Sequence, residues 1–88
     1  MSIAERRFST EQLAHLLEIS SGVDCECPNH LAGLVERLVA FEDYSAGCED
    51  KNEADRELHA LLHRETAKAR AIMELALVEL VRAEGLAV

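Results

Sequence analysis

Three cysteines and four histidines are the side chains of this sequence best equipped for chemistry. Cys25, Cys27 and His30 fall together in "CECPNH", around the single proline, Pro28. Two thiolates and an imidazole at this spacing suit zinc or iron. Cys-x-Cys is tighter than the usual Cys-x-x-Cys knuckle, however, and no second pair follows. If Pro28 opens a helix, the free N–H groups of the first turn favour the thiolate of Cys27, which also makes a redox or nucleophilic role physically reasonable. The same residues read equally as a helix start containing sulfur. Cys27 would then cap the helix, and Cys25 would pack as a small hydrophobe.

Cys48 cannot join that set within one chain. It follows Cys27 by 21 positions along a predicted helix, roughly 30 Å at 1.5 Å per residue. An antiparallel dimer would bring it to Cys25 and Cys27 of a second copy; otherwise it reads as a buried core cysteine. Asp55, His59 and His63 recur every fourth residue on one helical face. In an antiparallel hairpin that face starts beside Glu42, Tyr44, Ser45 and Cys48, and bundle metal sites are built from such facing carboxylates and imidazoles. The paired Glu-x-x-His motif is absent: Arg56 precedes His59 by three, and Ala60 precedes His63 by three. Exposed histidines beside acids are the plainer reading, and His15 stands alone.

The elements that must position these groups are helices. The chain has 88 residues, 49% of them hydrophobic, with one proline, four glycines and only Phe8, Phe41 and Tyr44 as aromatics. This composition predicts a single all-α domain with an aliphatic core. In "FSTEQL", Ser9 and Gln12 form a capping box, and Phe8 and Leu13 form a hydrophobic staple, so a first helix is expected over 9–20. A second is expected over 28–48, started by Pro28 and ended near Gly47, with Leu31, Leu34, Leu38, Phe41, Ser45 and Cys48 along its seam. A third is expected over 53–84, entered by an Asn52–Asp55 capping pair and stopped by Gly85. Its stripe is read as Leu58, Leu61, Leu62, Ala69, Ile72, Met73, Ala76, Leu80 and Ala83. The third helix would be roughly 48 Å long and the second roughly 30 Å. The long helix either packs against the other two or pairs with a second copy; so thin a core favours a helical bundle in a homodimer.

Net charge is −8, which disfavours direct binding to nucleic acid and to anionic membranes. Scattered aromatics offer no base-stacking platform. The N-terminal stretch lacks the apolar run of a secretory signal, no stretch reaches the ~20 apolar residues of a membrane span, and an odd cysteine count argues against paired disulfides. These features point to a cytoplasmic protein with reduced thiols. Glycine-rich phosphate loops, nucleophile elbows and His-Glu-x-x-His motifs are missing, so catalysis is not expected.

The run "CECPNHLAGLVERLVAFEDYSAGCE", followed by "ADRELHALLHRETAKARAIME", resembles a helical segment that follows the DNA-binding part of certain bacterial MerR-type transcriptional regulators. The resemblance extends from about Phe8 to Gly85. It departs from that family in having no winged helix-turn-helix: "FSTEQLAHLLEIS" is similar to a first helix of such a motif, but "SGVDCECPNH" supplies no recognition helix. The cysteines of metal-sensing MerR proteins do not map onto this spacing, and no functional residue is carried over. The resemblance implies a stand-alone sensing, dimerising or partner-binding module in transcription regulation. The expectation is thus a small, non-enzymatic helical regulatory module, with zinc or iron at Cys25, Cys27 and His30 as one form. A metal-free dimerisation or protein-interaction domain is the alternative, and a thiol or di-metal enzyme comes last.

Overall fold

Ser9 opens the first helix as its neighbours predict. In the computed structural model, which describes residues 5–19, 26–51 and 53–88, its side chain accepts from the Gln12 N–H at 3.1 Å. Gln12 Oε1 accepts from the Ser9 N–H at 2.8 Å, completing the capping box. Phe8 and Leu13 are both buried, as the staple requires. Helix α1 spans Thr10–Glu18, α2 spans Cys27–Lys51, and α3 spans Arg56–Glu84 after a short 3-10 turn, Glu53–Asp55. No strand occurs among the described residues. The all-α fold with a long C-terminal helix is therefore observed.

The glycines divide the helices differently from expectation. Gly47 does not end α2, which continues to Lys51. A side chain at Gly47 would meet nothing within 4 Å, so the helix tolerates it as an exposed interior position. Gly85 does end α3, at φ 64°, with the Leu86 N–H donating back to the Val81 carbonyl at 3.0 Å. That bond satisfies a carbonyl the helix would otherwise leave open. Asn52, one half of the expected capping pair, lies outside the described residues.

Helices α2 and α3 fold back on each other as a hairpin within one chain, and α1 packs on α2. Phe8, Leu13 and Leu16 meet Ala32, Val35 and Leu77 to form the apolar core. It sits where α1, the first half of α2 and the last half of α3 converge. Towards the α2–α3 turn only two helices remain, in a molecule 50 × 23 × 17 Å.

The faces turned inward match those read from leucine spacing only in part: Ser45 of the expected α2 seam is buried, and Leu31, Leu38 and Cys48 are half-buried. On α2 the buried positions are Pro28, Ala32, Val35, Glu42 and Ser45, whereas Leu34 and Phe41 are exposed. On α3 they are Thr66, Ala67, Arg70, Glu74 and Leu77. Leu58, Leu61, Ile72, Ala76 and Ala83 face solvent instead, while Leu62, Ala69, Met73 and Leu80 are half-buried. On the inward faces an arginine and two glutamates share the interior, where each can be buried only against the others.

Candidate functional site

Arg70 is fully buried on α3, one helical turn before the equally buried Glu74. Its Nη1 donates to Glu74 Oε1 at 2.6 Å. Across the hairpin, its Nε donates to Glu42 Oε1 at 2.6 Å and its Nη2 to Glu42 Oε2 at 3.3 Å, the two-pronged geometry a guanidinium suits best. Nη1 also reaches the Glu5 carbonyl at 3.4 Å. The other oxygen of Glu74, Oε2, accepts the backbone N–H groups of Arg7 at 3.0 Å and Phe8 at 3.3 Å. One buried cluster therefore ties α2, α3 and the segment leading into α1 together.

Burial works against the Arg70 charge, but the hydrogen bonds to Glu42 and Glu74, reinforced by their negative charge, outweigh it and raise its pKa above the ordinary arginine value. Two carboxylates against one guanidinium leave an excess negative charge. Arg6, half-exposed, offsets part of it from the rim: its Nη2 lies 3.8 Å from Glu42 Oε2 and 2.6 Å from Asp43 Oδ1. His63 Nε2 lies 3.9 Å from Glu42 Oε2.

The sequence-predicted ligands are distributed around this cluster rather than gathered into one site. Cys25 lies outside the described residues. Cys27 is the first residue of α2 and is exposed, with Glu26, whose carbonyl accepts the His30 N–H at 3.0 Å, taking the capping place expected of Cys27. His30 is exposed one turn further on. Cys48 is half-buried, and neither Cys27 nor Cys48 is in a disulfide. Asp55 is exposed at the start of α3, and His59 and His63 are half-buried. The Nδ1 of His59 is buried without a hydrogen-bond partner. Among the described residues, no three His, Cys, Asp or Glu side chains are placed to hold one metal ion.

Asn29, overlooked between Pro28 and His30, has a defined structural task. Its Nδ2 donates to the carbonyls of Leu16 at 2.9 Å, Leu17 at 3.2 Å and Ile19 at 2.9 Å. These are the open carbonyls at the end of α1, so the first turn of α2 caps the helix before it.

No family model, curated protein or solved structure matches this chain. Its own geometry must carry the functional reading.

Proposed function

We propose that this chain is a non-enzymatic helical interaction module of the kind a transcription regulator uses to dimerise or to hold a protein partner. The observation that supports it is the number of large apolar side chains left outside. A charged cluster takes part of the interior beside the apolar core, while Leu34, Phe41, Tyr44, Leu58, Leu61, Ile72 and Leu75 are exposed along α2 and α3. Exposed apolar residues at this density suit an interaction face. The clustered charged groups are paired with one another, and surface hollows of about 530, 500 and 370 Å³ are lined by neither histidine nor cysteine.

The test places a photocrosslinking amino acid at Tyr44 or Leu61 in cells that make the protein, with Glu11 as the exposed control. Discrete protein adducts from the apolar positions and none from Glu11 are expected. Absence of adducts at every exposed apolar position would end this reading.

A metal-linked form of the module has one observation in its favour: Cys27 and His30 are both exposed, one helical turn apart at the start of α2. About one equivalent of zinc or iron, lost together with Cys27→Ser, would support it. Metal-free protein with freely alkylated thiols would exclude it.

A further inference from the structure

Across α3 from the buried Arg70–Glu74 face runs a second seam. Leu58, Leu61, Glu65, Lys68, Ile72 and Leu75 are all exposed and advance alternately by three and four residues. This is the spacing of a coiled-coil seam. Ile72 keeps 61% of its surface exposed and Leu58 54%. Within the chain, Glu65 and Lys68 meet only as a solvent-exposed pair, 3.2 Å apart.

The order of residues along the seam has a two-fold pattern: two leucines, an acid, a base, then isoleucine and leucine. We propose that two copies of the chain pair antiparallel along this face, about an axis level with the Thr66–Ala67 peptide. Leu58 of one copy then lies against Leu75 of the other, Leu61 against Ile72, and Glu65 against Lys68. Every apolar position meets an apolar position, and both central charges meet their opposites. A parallel pairing places Glu65 against Glu65 and Lys68 against Lys68, so like charges oppose it.

Ala69, Ala71 and Ala76 border the seam and let the two helix backbones approach. At one end Glu5, Arg6 and Arg7 border the hollow beside Leu75, and at the other end Glu57 and Arg64 border the one beside Leu58, so both ends carry charges of both signs. The seam spans about 26 Å at 1.5 Å per residue. By contrast, Leu34, Arg37, Phe41 and Tyr44, exposed on α2 at the same spacing, carry a base with no acid on the same line to meet it.

This inference rests on the interaction-module reading and names a second copy as occupant of the α3 face. Sedimentation equilibrium of the purified full chain tests it, with circular dichroism confirming that each variant keeps its helices. The native chain is expected to be a dimer. Lys68→Glu and Glu65→Lys each set like charges across the axis and raise the dissociation constant about tenfold or more. An equimolar mixture of the two variants restores dimers, although each has lost its internal ion pair, and the combined E65K/K68E chain also recovers. Direction is read with all native cysteines replaced by serine: Leu58→Cys protein mixed with Leu75→Cys protein oxidises preferentially to the mixed disulfide. A native chain that stays monomeric, single variants that dimerise undiminished, or preferential disulfides between identical copies would overturn the proposal. A monomeric chain that still gives Leu61 adducts of another mass removes the second copy but leaves the interaction module standing. A monomeric chain without adducts removes both.

Discussion

Arg70 joins α2, α3 and the segment leading into α1 through one buried guanidinium. Removing one member of a buried, hydrogen-bonded ion cluster leaves the others uncompensated, which costs about 3–5 kcal/mol. Arg70→Met is therefore expected to lower the unfolding free energy by about that amount in urea titration. The double variant Glu42→Leu/Arg70→Met should lose less than Arg70→Met alone, because it leaves Glu74 with the Arg7 and Phe8 N–H groups and removes the stranded Glu42 charge. The raised pKa of Arg70 fixes the pH behaviour. A cationic group whose pKa is raised by folding contributes stability below its unfolded value and loses it only as pH rises through the folded one. That window lies above ordinary working pH. Stability of the native chain should accordingly keep the whole Arg70 contribution between pH 7 and pH 10, read as urea midpoints at the two pH values.

At the scale of elements, the helices are set by local chemistry at their ends and joined by one unusual cap. Asn29→Ala removes three hydrogen bonds from the carbonyls closing α1. A loss of about 1–2 kcal/mol is expected, accompanied by faster amide exchange in Leu13–Glu18. Gly47 offers the opposite change. It lies exposed within α2 with open space around it, so Gly47→Ala should stabilise the chain by about 0.5–1 kcal/mol, read as a shift in the urea midpoint without a change in slope.

At the scale of the whole molecule, stability is distributed unevenly along the long axis. The core from Phe8 to Leu77 lies at the three-helix end, and the α2–α3 turn has two helices only. Amides of Val35 and Leu77 should exchange only through near-global unfolding, and those of Ala46–Cys48 and Leu58–Ala60 through local opening at much lower free energy. Uniform protection along the hairpin would contradict that picture. The half of the hairpin towards that turn also holds the exposed Phe41, Tyr44, Leu58 and Leu61. Among the described residues, no helix is long and apolar enough to cross a membrane.

Local chemistry made much of this legible without coordinates. The Ser9–Gln12 box, the Phe8–Leu13 staple and the Gly85 stop depend on neighbours within a few positions, so the sequence by itself determined the helices and the main points where they begin or end. It did not determine which face of each helix is buried. Leucine spacing points to Leu34 and Phe41 on α2 and to Leu58, Leu61 and Ile72 on α3. Those faces remain exposed, while Glu42 of α2 meets Arg70 and Glu74 of α3 in the interior once the hairpin has formed. A charged residue looks like a surface residue until its partner is placed. The same holds for Asn29, whose three acceptors lie 10 to 13 positions earlier in the chain. Tertiary structure alone decided the inward faces, and with them which seam of α3 stays exposed.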